Sequence, residues 1–143
     1  MRMRYMLFAV TLLVTGCQTA DDSLSVSSTP VVISGAAASA IAGDLASRLA
    51  EQLPPATTTV RMEADKSDFA VALEAAIKGW GYTVVPDAGT KDSKSIKLGY
   101  SLQGIDGQLL AQVSTPAIAL GRAYTASSTG AVPASPLSIM QRN

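Results

Sequence analysis

The 143-residue chain has no histidine, one cysteine and little aromatic content (one Trp, two Phe, four Tyr). Without histidine there is no imidazole base, no Ser-His-Asp arrangement and no imidazole metal ligand. The lone cysteine, Cys17, leaves nothing for an intrachain disulfide, so the fold must rest on burial alone. No phosphate-cradling glycine loop of the P-loop or dinucleotide type is present. Lys+Arg and Asp+Glu both number 11, and no basic run or basic face occurs. Nucleic-acid binding therefore has no electrostatic footprint. The apolar run Tyr5–Val14 is about half the length of about twenty residues that a membrane-crossing helix needs.

What is present begins with that run. A basic start, Met1-Arg2-Met3-Arg4, a short apolar middle and small residues before a cysteine make a secretory signal. Leu13-Val14-Thr15-Gly16-Cys17 resembles the bacterial lipobox, with Val14 where leucine is usual. The resemblance implies cleavage after Gly16, which makes residues 1–16 a signal peptide and Cys17 the lipidated (palmitate-type) first residue. The alternative is an ordinary secreted protein with an incidental free cysteine. Gln18 follows, where aspartate would favour retention in the inner membrane of enteric bacteria, so the outer membrane is expected. Loss of Arg2 and Arg4 from the 11 basic residues leaves 9 against 11 acidic ones, a net charge of about −2. Residues 17–30 are polar, rich in Ser and Thr, and without period, the composition of a flexible tether.

The periodic part spans residues 31–125. Ser34 caps a helix with Ala38, Ile41, Ala42, Leu45, Leu49 and Leu53 at helical spacing, stopped by Pro54-Pro55. Its many alanines predict close packing, here against a sheet, and Asp44 and Arg48 form an i,i+4 pair on its polar side. Thr57–Ala64 alternates as a half-buried strand. Ser67 caps a second helix with the stripe Phe69, Leu73, Ala76, Ile77 and Trp80, which is expected to put Trp80 in the core. Gly81 ends that helix.

A short strand, Tyr82–Val85, closes at Pro86, and a polar loop spans residues 87–95. Ile96, Leu98, Tyr100 and Leu102 mark the clearest strand. Asp106-Gly107 reads as a hairpin turn into Gln108–Ser114, and Ala117–Tyr124 supplies a last strand with Ile118, Leu120 and Tyr124 on one side. The order α-β-α-β-β-β-β predicts an α+β domain: two helices on one face of a mainly antiparallel sheet of four to five strands.

Residues 126–143 lose all periodicity and read as an extended tail containing Pro133 and Pro136. Leu137, Ile139 and Met140 reappear as apolar residues beyond that spacer, and are the candidate partner-docking residues, against a frayed terminus as the alternative. Carboxylates cluster only at Glu63, Asp65 and Asp68, where a calcium loop would need a ligand spacing that is not present. No catalytic, cofactor-binding or metal residue is predicted.

The chain resembles the TrbH family, lipoproteins encoded with the conjugal transfer (mating-pair formation) genes of plasmids such as the Ti type. The segments that carry the resemblance are the lipobox, Gly43–Pro55, Phe69–Ala76, Gly79–Tyr82, Asp106-Gly107, Arg122–Tyr124 and Pro133–Met140. It implies a non-enzymatic, lipid-anchored component of a type IV secretion apparatus, in the cell envelope and at the outer membrane facing the periplasm. The implied partners are the membrane, through lipid on Cys17, and other secretion-channel subunits, with no nucleic acid and no small-molecule substrate. Two other readings remain open on the residues. One is a periplasmic lipoprotein adaptor or regulator of a cell-wall enzyme. The other is a small cell-wall hydrolase, which requires Glu63 or Asp65 in a cleft and fails if Glu63 is solvent-exposed.

Overall fold

The protein is described by a computed structural model over residues 31–88 and 94–143. The expected signal peptide 1–16, lipidated Cys17, tether 17–30 and the middle of the 87–95 loop lie outside the described residues. The first helix, α1 (Gly35–Gln52), starts where Ser34 Oγ accepts from Ala37 N–H at 3.1 Å. Ala37, Ala38, Ile41, Ala42, Leu45, Ala46 and Leu49 are buried along one side. The helix stops at Leu53, because the next two residues are prolines and cannot continue it. A single 3-10 turn, Pro55–Thr57, leads into β1 (Thr59–Met62). That strand is shorter than its alternation predicts: Ala64 lies past its end and is exposed.

The second helix, α2 (Asp68–Gly79), is capped by Ser67, and Phe69, Ala70, Leu73 and Ile77 are its buried residues. Trp80 corrects the sequence expectation. It is the C-cap residue, half exposed at 50%. It is the first residue after the last turn, its N–H still bonded to Ala76 O and Ile77 O at 3.2 Å, and no further turn of helix follows it. Gly81 reverses the chain at φ +102°, a conformation that needs no Cβ. Tyr82 then turns inward, and its hydroxyl donates to Leu53 O at 2.7 Å, tying the end of α2 to the end of α1.

Five further strands, after β2 (Thr83–Pro86), complete the sheet: β3 (Ile96–Ile105), β4 (Gln108–Ser114), β5 (Ile118–Ser127), β6 (Gly130–Pro133) and β7 (Ser138–Gln141). The strand order is β2-β1-β3-β4-β5-β6, with β7 also on β5. β1 sits between β2 and β3 and is parallel to both, while every pairing from β3 onward is antiparallel. A β-α-β crossover through α2 makes β2 parallel to β1, since parallel neighbours need a long connection, and β3 follows β2 to the other side of β1 in the same direction. The Asp106-Gly107 turn has φ of 49° and 77°, as a tight right-twisted hairpin requires.

The fold is α+β with a mainly antiparallel open sheet, and its sheet has seven strands where four to five were expected. The two extra strands come from residues 126–143. β5 runs on to Ser127, and β6 and β7 pair end to end along its outer side. Short edge strands have no partner on one flank and little burial. They are held by backbone hydrogen bonds that leave no apolar period in the sequence. Both helices lie on one face, with α1 packed against α2 and against β5 and β6, and α2 against β2. Between them and the sheet lies one aliphatic core that includes Ile41, Leu45, Leu73, Ile77, Leu98 and Leu120.

Candidate docking edge and the cluster that sets it

Alternation along β5 places Ile118, Leu120, Arg122 and Tyr124 toward the helices. An arginine among core residues demands a partner, because an unpaired charge facing apolar neighbours is costly. Asp44 of α1 supplies it: Asp44 Oδ2 accepts from Arg122 Nη1 at 3.0 Å and from the Tyr124 hydroxyl at 2.7 Å. The Arg122 and Asp44 side chains are only 17% and 22% exposed. The expected pair Arg48–Asp44 is also present but longer, at 3.8 Å, and Arg48 makes its closer contact with Glu51 at 2.9 Å.

The same arginine fixes the connection between β6 and β7. Arg122 Nε donates to Ser135 O at 2.9 Å, and Ser135 Oγ accepts from Ala123 N–H at 2.9 Å. The chain between Pro133 and Pro136 is thus pinned to β5 from its side-chain and backbone atoms together. Three segments far apart in sequence, around Asp44, Arg122–Tyr124 and Ser135, meet in one polar cluster beneath the edge of the sheet. The sequence reading missed this cluster by assigning Asp44 to the polar side of α1. The available signal was the parity of Arg122, which lies between Leu120 and Tyr124 on the inward face.

The candidate docking residues divide. Leu137 is half-buried and packs on the core. Ile139 and Met140 lie on β7, 46% and 60% exposed. As neighbours on a strand they point to opposite faces, so they form an edge feature and not one apolar patch. No helix among the described residues is long and apolar enough to cross a membrane.

The carboxylates Glu63 and Asp65 border one open cleft together with Tyr100. Glu63 is exposed. Asp65 accepts from Ser67 N–H and Ser67 Oγ, both at 3.0 Å, and from the Tyr100 hydroxyl at 3.3 Å. These bonds, the Ser67 backbone first, hold its carboxyl below the usual range. A second cleft of about 510 Å³ lies beside it, lined in part by Val31, Ile33, Phe69, Tyr100 and Leu102. Phe69 and Tyr100 meet there edge to face at 6.1 Å. Among the described residues no group of three or more acidic, Cys or His side chains is placed to hold a metal.

The tyrosines carry a pH signature. Burial pushes Tyr100 up to about 12 from the ordinary 10.0, with the Asp65 charge adding to it. Burial and the bond to Asp44 push Tyr124 up as well, and burial alone raises Tyr82. An acid whose folded pKa is raised contributes stability that is complete below its unfolded pKa and is lost as pH rises through the folded one. Stability should therefore hold up to about pH 10 and fall steadily from about pH 10 to 12. Ultraviolet titration of tyrosinate alongside circular dichroism checks this. The titration of the buried tyrosines should coincide with unfolding, and titration at pH 10 of an intact fold would contradict it.

The family model described as "Conjugal transfer protein TrbH" matches residues 19–143. The chain is 63% identical over 148 aligned residues to a protein of Sinorhizobium fredii (strain NBRC 101917 / NGR234) named "Probable conjugal transfer protein TrbH", covering all of both chains. No solved structure matches. The chain belongs to the TrbH family of conjugal transfer proteins.

Proposed function

We propose that this protein is a lipid-anchored structural component of a conjugative type IV secretion (mating-pair formation) apparatus. It acts through position and protein contacts in plasmid transfer. Lipid on Cys17 holds it to the membrane, residues 17–30 space it from the surface, and Leu137, Ile139 and Met140 belong to its contact with other channel subunits. Bacterial lipoproteins carry several acyl chains, and more than one is what stable anchoring takes. The expected address is the outer membrane, facing the periplasm.

Family membership supports the role in conjugation, and one structural observation carries the positional part. The chain enters the domain at Val31–Ser34, where Ser34 Oγ donates to Ser127 O at the far end of β5. β7 pairs the other end of β5, Ile118–Gly121. The strand between them has 10 residues, a span of about 30 Å. A domain tethered by its entry end would therefore present β7 away from the membrane, toward a partner.

The test is deletion of the coding region, complemented in trans, with plasmid transfer counted in matings. Transfer should collapse on deletion, return with the wild-type chain, and stay low with Cys17→Ser. Full transfer by Cys17→Ser removes the anchoring role. Undiminished transfer on deletion removes the conjugation role and favours a periplasmic adaptor for a cell-wall enzyme.

A further inference from the structure

Among the described residues, β2, β6 and β7 each have one flank that pairs no strand along its whole length, β3 lacks a strand on one side only beyond Leu98, and the three edges are not alike. Asp87 N–H donates to Met62 O, which fixes the parity of β2: Thr83 and Val85 face β1, and Val84 and Pro86 face outward. Ala134 N–H donates to Ala123 O, so in β6 the outward residues are Ala131 and Pro133. In both strands the second outward residue is a proline, with no N–H to offer, the usual means by which an edge resists pairing.

β7 has no such block. Arg142 N–H donates to Ala117 O at 2.7 Å, so Ser138 and Met140 bond inward to β5 while Ile139 and Gln141 turn their N–H and C=O groups outward. Ser-Ile-Met-Gln carries no charge, no proline and no glycine. Every residue of the strand is exposed.

We infer that β7 pairs antiparallel with β7 of a second copy of this chain, about a two-fold axis through Met140. In that register Ile139 of each copy lies opposite Gln141 of the other, so every outward N–H meets an outward C=O. Met140 faces Met140 of the second copy as a non-hydrogen-bonded pair, burying a side chain that is 60% exposed in the single chain. Arg142 lies opposite Ser138, so no like charges meet across the ladder. β2 is a poorer partner for β7, because Pro86 deprives it of one of the donors the ladder would use. The inference rests on β7 being a contact surface but not on the conjugation role, and it is read without the mating assay.

The register sets the test. A non-hydrogen-bonded antiparallel pair has Cα atoms about 4.5 Å apart, inside the range of about 4.4–6.8 Å that a disulfide spans. The full chain carrying Met140→Cys is expressed in cells without other transfer genes and mildly oxidised. It should run on a non-reducing gel as a major band at twice the monomer mass. The wild-type chain, with Cys17 alone, sets the background, and Val132→Cys, at another exposed apolar site, should not exceed it. Gln141→Pro gives β7 the same block as β2 and β6 without touching its bonds to β5. It should abolish the band in the Met140→Cys chain while circular dichroism stays native. A band no stronger than that of Val132→Cys, or one unchanged by Gln141→Pro, overturns self-pairing. So does Met140→Cys cross-linking only to a chain of different mass once the transfer genes are restored; that result would make β7 the seat of another subunit.

Discussion

Asp44→Ala should destabilise the domain by about 3 kcal/mol, the scale for removing one member of a largely desolvated, hydrogen-bonded charge pair. Two groups lose their acceptor at once: Arg122 Nη1 at 3.0 Å and the Tyr124 hydroxyl at 2.7 Å. Tyr124 is only 1% exposed, so water cannot readily replace the lost acceptor. Asp44→Asn keeps an acceptor for the tyrosine but not the charge, and should cost about half as much. Glu51→Ala is the control. It breaks the Arg48–Glu51 bridge, whose side chains are 40% and 55% exposed, and such pairs contribute about 0–1 kcal/mol. In thermal unfolding the first variant should melt about 10–15 °C lower and the control within a few degrees of wild type. Equal melting of Asp44→Ala and Glu51→Ala would mean that the cluster does not hold the fold.

The effect of Asp44→Ala should also be localised before it is global. Arg122 holds Ser135 O as well as Asp44, so a displaced guanidinium releases the link between β6 and β7. Amide exchange in β7 should accelerate more than exchange in β4, which pairs a strand on both sides. In this way a largely covered ion pair between α1 and β5 sets the order of an exposed edge that is proposed to make contacts.

Much of the fold is legible in the sequence because it is written in local chemistry. Ser34 and Ser67 cap the two helices as expected, Gly81 has the positive φ that its place predicted, and Asp106-Gly107 makes the hairpin. These features depend only on residues within a few positions. The parallel pairing of β1 is not legible, since an alternating strand reads the same whichever way its neighbours run. β6 and β7 are hidden for a different reason: an exposed edge needs backbone partners and not an apolar rhythm. Trp80 misleads because helical spacing carries the stripe one residue past Gly79, where α2 ends. Of the candidate site, Ile139 and Met140 are exposed, but only the register with β5 shows that they lie on an edge strand. Asp44 was visible as a charge on α1, while its true partners, 78 and 80 residues away, required the three-dimensional structure.

Leu73→Ala tests what holds the domain together when neither disulfide nor aromatic cluster does. Leu73 is fully buried on α2 and belongs to the core shared with Ile41, Leu45 and Ile77 of the two helices. Truncation removes buried apolar area and leaves a cavity that a close-packed layer closes only in part, a cost of about 3–4 kcal/mol. Val71→Ala on the same helix, at a position 54% exposed, should change stability by less than about 1 kcal/mol. Small domains have about 5–15 kcal/mol in total, so the first variant spends a large share of the margin and the second almost none. Denaturant unfolding should show a lower midpoint for Leu73→Ala at an unchanged slope, the mark of a packing loss without a change in the surface exposed. Comparable midpoints for the two variants would mean that α2 is not seated in the core as described, and that the helix pair contributes little to stability. The helix pair is the part most exposed to that test, because α1 lies between α2 and the β5–β6 side of the sheet and loses support on one flank if α2 loosens.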